Sequence, residues 1–158
     1  MGVTLLEYRE ARITDFESLM ELCIMFHGES RWGVYPLDSK KLVRYVKLFL
    51  GGGDRVIFVS ERDGVLAGCI FGELTDTFWS NDLAVYERMW YVSPRYRGTL
   101  SGVRLLKCLD RWSRDRGARE FFIGHSSGMN RERSDVLLRK LGYESVATLY
   151  GRQLDVLG

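Results

Sequence analysis

The chain has little of what metal centres and disulfide frameworks are built from. It carries two histidines, His27 and His125, and three scattered cysteines, Cys23, Cys69 and Cys108. No Cys-x-x-Cys pair or His/Cys cluster has metal-ligand spacing, so no metal is expected. The cysteines are odd in number and sit in apolar contexts. That suits reduced core thiols and a cytoplasmic protein. Charge of one sign is lacking too. The formal net charge is +2, which gives no bulk electrostatic case for nucleic acid. No apolar run approaches membrane-spanning length, and the first residues show no signal-peptide pattern, so no membrane partner is expected. Repeats, low-complexity tracts and linkers are also missing.

What is present reads as an ordinary globular chain. Its 158 residues, 46% hydrophobic and 28% charged, suffice for one domain with its own core, taken as residues 1–158. Val3 to Arg9 reads as a first strand. Thr14-Asp15-Phe16-Glu17 has capping-box spacing, and Phe16, Leu19, Met20 and Cys23 continue a helix to about Phe26. His27 to Pro36 reads as a loop. Asp38 caps a second helix with the stripe Leu42, Val46, Phe49 and Leu50, stopped by Gly51-Gly52-Gly53. Val56 to Ser60 and Val65 to Thr75 form a hairpin about Asp63-Gly64. A turn near Trp79 to Asp82 leads into a strand from Leu83 to Val92. A helix with Val103, Leu106, Leu109 and Trp112 inward then runs to Gly117. Glu120 to Gly124 is a short strand, Arg131 to Leu141 a last helix, and Glu144 to Leu154 one or two final strands. The order β-α-α-β-β-β-α-β-α-β(β) implies an α/β fold around a mixed sheet.

The most informative stretch is Val92-Ser93-Pro94-Arg95-Tyr96-Arg97-Gly98-Thr99-Leu100-Ser101-Gly102. A strand feeding a basic, glycine-containing turn and then a helix makes an anion cradle. The helix start leaves amides free and adds partial positive charge. Gly98 and Gly102 admit a phosphate close to the backbone, and Arg95 and Arg97 supply charged donors. A pyrophosphate, and hence a nucleotide-bearing cofactor, is the expected ligand.

With Val103-Arg104-Leu105-Leu106 after it and Leu141-Gly142-Tyr143 closing the last helix, this stretch resembles the GNAT superfamily of acyl-CoA-dependent N-acetyltransferases. The resemblance covers nearly the whole chain. It implies a single domain with a mostly antiparallel mixed sheet flanked by helices, and acetyl-CoA as cofactor. It also implies a signature strand that splays from its neighbour, freeing the backbone at Trp90 and Val92 for the pantetheine arm. The cofactor set is then Trp90, Val92, Arg95, Arg97, Gly98, Thr99, Leu100, Ser101, Gly102 and Asn130. Two positions depart from the family pattern. Leu100 stands where a middle glycine is usual, and Leu138 where many members carry a tyrosine that protonates the departing thiol.

Amine acetylation needs a neutral amine, a donor for the thioester oxygen and a partner for the leaving thiolate. Glu87 is the carboxylate nearest the splay. It reads either as a base acting through water or as a solvated carboxylate paired with Arg88. Strand alternation sets Glu87, Met89 and Tyr91 on one face unless a bulge intervenes. Tyr91 flanks the thiol path and is the second catalytic candidate, with His125 further along. Glu29, Trp32 and Trp79 lie in segments expected to line the acceptor pocket, which suits an amine on an apolar or aromatic group. The acceptor is open between a small-molecule and a protein amine, and the exposed aromatics suit a homodimer. The alternative is a non-catalytic acyl-CoA-binding or protein-interaction module. Direct nucleic-acid binding through the arginines from Arg95 to Arg119 is the weakest reading, because acidic residues interleave them.

Overall fold

The computed structural model describes residues 4–155. Its elements are β1 (Glu7–Glu10), α1 (Phe16–Glu29), α2 (Ser39–Leu50), β2 (Arg55–Arg62), β3 (Val65–Thr77), β4 (Ser80–Val92), α3 (Ser101–Asp115), β5 (Glu120–Phe122) and α4 (Arg131–Lys140). The strands form one sheet in the order β1-β2-β3-β4-β5, antiparallel except where β5 runs parallel to β4.

Each face of the sheet has its own core. Ile57, Val59, Cys69, Phe71, Met89 and Tyr91 pack against Leu19, Leu22 and Cys23 of α1 and Val46 and Phe49 of α2. Val56, Ile70, Leu74 and Val85 pack against Leu105, Leu106 and Leu109 of α3 and Leu138 of α4. The α2 stripe falls where its period places it, and the Asp38 carboxylate caps it by accepting from the Lys41 amide at 3.0 Å. On α3 the buried residue is Leu105, whereas Val103 turns to the cleft described below. The β2–β3 hairpin turns at Asp63 and Gly64, both at positive φ, 52° and 77°.

Four expectations are corrected. The first strand is Glu7–Glu10, shorter than the expected run, whose Val3 lies outside the described residues. The chain enters α1 through a short 3-10 turn, Ile13–Asp15, instead of a Thr14/Glu17 box. The Asp15 carboxylate accepts from the Arg12 amide at 2.6 Å and pairs with Arg9 at 2.7 Å, and the Arg9 hydrogen bond holds its pKa below the usual value. Helix α1 continues to Glu29, past the expected stop at Phe26, because its last residue is tied to the sheet. Residues 144–155 form no strand. A strand needs a neighbour to bond, and this segment has none among the described residues; Val146, Leu149, Tyr150 and Leu154 lie exposed on it.

Helix α3 sits directly on β3 at Gly72, where an added Cβ would lie 2.3 Å from Leu109 Cδ1. Leu109 is fully buried and has no free direction in which to retreat. Gly72→Ala is therefore expected to cost about 1–3 kcal/mol in urea unfolding. An unchanged midpoint would show that the α3–sheet contact yields freely.

Candidate active site

The cleft owes its existence to a parting of strands. β5 pairs with β4 at three positions only, Ala84↔Glu120, Val85↔Phe121 and Tyr86↔Phe122. Beyond Tyr86 the two strands separate, and the Gly124 amide donates to the Glu87 carboxylate at 3.2 Å. On the other side of β4, the Ser93 amide bonds the Ala67 carbonyl at 2.9 Å. By antiparallel alternation Tyr91 also turns its backbone groups to β3, so those of Trp90 and Val92 face the parted side. The splay implied by the family resemblance is thus present, with those two residues in register to use it.

A β-bulge lies within the same stretch. Phe71 pairs with Met89 and Gly72 with Glu87, so Arg88 is the extra residue. The expected shared face of Glu87, Met89 and Tyr91 does not survive it. Met89 and Tyr91 pack toward α1 and α2, whereas Glu87 follows Val85 to the α3 side.

The resulting cleft holds about 470 Å³. Its floor is Glu87 to Val92 without Met89, its one wall the turn and helix start from Tyr96 to Val103, and its other the segment from Gly124 to Leu137. Of the residues expected to hold the cofactor, Trp90, Val92, Arg97, Gly98, Thr99, Gly102 and Asn130 line it. Arg95, Leu100 and Ser101 do not. Arg95 lies over the Tyr96 ring at 5.7 Å, and Ser101 is buried, bonded to Ser60 at 2.6 Å. The Leu100 side chain is 60% exposed, so the residue in place of the family glycine leaves the cradle clear. Gly98 adopts φ +83°, the left-handed conformation that releases the chain into α3. Thr99 Oγ1 accepts from the Ser101 amide at 3.2 Å, while the first-turn amides of Gly102 and Val103 have no helical acceptor. These free amides, the dipole of a 15-residue helix and Arg97 fit a pyrophosphate.

Arg97 is not loose in the cleft. Its Nη2 meets Glu29 Oε2 at 2.6 Å, its Nε donates to the Val92 carbonyl at 3.0 Å, and its guanidinium lies 5.5 Å from the Tyr91 ring centre. The Tyr91 hydroxyl donates to the other oxygen of Glu29. Burial opposes charge on Glu29, but the bonds from Tyr91 and Arg97 prevail and hold its pKa below the ordinary value. Burial, reinforced by the Glu29 bond, pushes the Tyr91 phenol up. Its proton is committed to Glu29, which makes it a poor acid toward a thiolate.

Glu87 is the opposite case. Burial raises its pKa to about 7, against the smaller pull of the Gly124 amide and Arg88. Arg88 itself pairs with Glu73 at 2.7 Å. The pairing of Glu87 with Arg88 considered from sequence is therefore replaced by Arg88 with Glu73.

The remaining candidates divide. Asn130 caps α4 at φ 44° with no side-chain capping bond, and it faces the cleft. Trp32 lines the cleft from the turn after α1. Trp79 is 89% exposed at the β3–β4 hairpin tip, stacked edge-on with Phe78, and lines no part of it. Leu138 lies in the core, while its neighbour Leu137 lines the cleft. His125 also lines it, with a buried Nε2 that has no partner and a pKa lowered by burial. Arg133 and Ser134 complete the α4 wall. They follow Asn130 by three and four residues, a helical spacing that would have marked them from sequence.

The acetyltransferase (GNAT) family matches residues 17–143. The chain belongs to the GNAT family. It is thereby an N-acetyltransferase, and its donor is acetyl-CoA. No curated protein sequence matches the chain. Among solved structures it is similar to the aminoglycoside N-acetyltransferase AAC(6')-Iy in complex with CoA, at 17% identity and TM-score 0.77, over 98% of each chain. It is also similar to the aminoglycoside acetyltransferase meta-AAC0020 from an uncultured soil metagenomic sample, in complex with sisomicin. There the identity is 13% and the TM-score 0.72, over 95% of this chain and 97% of that one. A transcriptional regulator from Bacillus halodurans C-125 is similar at 14% identity and TM-score 0.78, over 95% of this chain and 100% of that one. These likenesses concern the fold.

The arginines at the end of α3 and just beyond it are charge-balanced: Arg114, Arg116 and Arg119 pair with Asp110, Asp54 and Asp82. No helix among the described residues is long and apolar enough to cross a membrane.

The Glu29–Arg97 pair is half-exposed, so its coupling should be modest. A double-mutant cycle of Glu29→Gln and Arg97→Ala in urea unfolding is expected to give about 0.5–1 kcal/mol. Strict additivity would show that the pair does not tie α1 to the turn.

Proposed function

We propose that residues 1–158 form one transferase domain that moves the acetyl group of acetyl-CoA to a primary amine by direct attack in a ternary complex. The observation that carries this is Glu87, raised to about 7 and lining the same cleft as the Arg97–Gly102 cradle and the parted β4 backbone. The cradle amides and Arg97 would hold the pyrophosphate, and the backbone of Trp90 with the Val92 amide the pantetheine arm, the Val92 carbonyl being engaged by Arg97. Bound acetyl-CoA supplies the activated acyl group. Glu87, as its carboxylate, takes a proton from the acceptor ammonium, directly or through one water, and the second proton shed by the acylated nitrogen goes to the departing thiolate, so that the products are the amide and the free CoA thiol. The amide of Trp90 or Val92 would donate to the thioester oxygen as charge develops on it. Tyr91 holds Glu29 and Arg97 in place and is a positioning residue. No cysteine lines the cleft among the described residues, which favours direct attack over an acyl-enzyme. The free cysteines suit a reducing compartment, and the proposal places the protein in the cytoplasm.

The test is acetyl-CoA-dependent acetylation of a panel of primary amines, followed against pH. Intersecting initial-rate patterns are expected; parallel lines would speak for an acyl-enzyme. Glu87 must be ionised to act, so kcat/KM should rise with pH and level off above about 7. Glu87→Gln should lose about 100-fold or more on the plateau and converge toward wild type below it. A mutant profile parallel to wild type would remove Glu87 from the chemistry, and no turnover of any amine would end the proposal.

Assembly is part of the same reading. The open outer edge of β5 and the exposed apolar residues of 144–155 suit self-association with a second copy. Sedimentation is expected to show a dimer that chains ending at Tyr143 do not form. A monomer at every concentration would refute it.

A further inference from the structure

A second cavity of about 230 Å³ opens beside the cleft, between α1, α2 and the sheet. Phe26, Trp32 and Arg88 line both spaces, so the two lie side by side at the bulge. The bulge divides the β4 residues on either side of Arg88 between them, with Glu87 on the cleft and Met89 on the second cavity. The walls are apolar: Phe26, Leu37, Val46, Phe71 and Met89, with Trp32 at the passage. The polar groups on it are few: Arg88, His27, the half-exposed Tyr45 and the Cys23 thiol. Arg88 is paired with Glu73, and His27 Nε2 lies 3.0 Å from the Tyr35 carbonyl. No carboxylate lines this cavity among the described residues.

Such a space discriminates by polarity. A polyhydroxylated or polycationic acceptor would leave its own polar groups unpaired there, at a cost that apolar contact does not return. A compact hydrocarbon group loses nothing, and an apolar cavity of ~150 Å³ already holds a benzene ring. The amine end must reach Glu87, one residue away across the bulge. Resting on the acetyl-transfer reading above, we propose that the acceptor is a primary amine bearing a compact apolar or aromatic group, and that this second cavity binds that group. It departs from the aminoglycoside named for meta-AAC0020, a likeness that extends to the fold only.

The test compares kcat/KM for 2-phenylethylamine, n-hexylamine, ethylamine, spermidine and sisomicin. The two amines with apolar chains should exceed ethylamine by at least about 100-fold, since each added carbon in an apolar pocket is worth ~10-fold or more. They should also exceed spermidine and sisomicin. Leu37→Trp and Leu42→Trp, which narrow the cavity from its loop and helix sides, should cut the phenylethylamine-to-ethylamine ratio at least tenfold. Calorimetric titration with 2-phenylethanol, which has no amine to acetylate, gives a readout apart from turnover. It should bind wild type and bind both variants more weakly. Equal efficiency with ethylamine and phenylethylamine, or a preference for sisomicin or spermidine, overturns the inference and leaves the transferase reading intact. Failure to acetylate any amine overturns both.

Discussion

Everything functional in this molecule depends on β4 losing its neighbour halfway along. Three residue pairs tie it to β5, and then the strands separate. In a closed sheet the backbone groups of Trp90 and Val92 would be spent on a ladder. Here they face a cleft; the Val92 carbonyl is taken by Arg97, and the groups left without a strand partner are available for recognition. The other edge of β4 stays bonded to β3 up to Val92 and, through Ser93, to Ala67, so the exposed edge is held rigidly.

The bulge at Arg88 adds the second constraint. One extra residue reverses the alternation of side chains, so that a carboxylate and an apolar residue two positions apart, which would otherwise share a face, serve different spaces. Glu87 is sunk beside the Gly124 amide, where burial raises its pKa into the range of a useful base. Met89 joins the α1–α2 core and borders the apolar cavity. Arg88, left over, turns to Glu73 and so does not neutralise Glu87 by pairing with it. The two carboxylates near the cleft thus acquire opposite characters. Glu29 is held ionised by Arg97 and Tyr91, whereas burial raises the pKa of Glu87 to about 7.

Much of this was legible in the chain. The Asp63-Gly64 turn, the Asp38 cap and the α2 stripe are local features, and local chemistry sets them. The turn from Pro94 to Gly102 was legible as a helix-initiating turn with a left-handed Gly98, because that glycine and its neighbours act where they stand. Helix α1 was misjudged at its end because His27 and Gly28 look like loop residues. Only the bonds from Glu29 to Tyr91 and Arg97, more than sixty positions away, show why the last turn persists. Trp79 misled for a related reason: aromatic content near a turn does not reveal whether the turn faces the cleft or solvent.

The sequence by itself determined the order of elements up to the last helix, the family and the place of the glycine- and arginine-bearing turn before α3, since each follows from contiguous residues and their periods. Tertiary structure decided the rest. Whether Glu87 is a solvated carboxylate or a base depends on burial and on the Gly124 amide. Whether residues 144–155 form strands depends on the presence of a partner edge. The register that separates Glu87 from Met89 depends on a bulge that residue spacing does not encode. Burial, strand pairing and register are properties of distant segments brought together, and they are fixed only when the sheet closes around them.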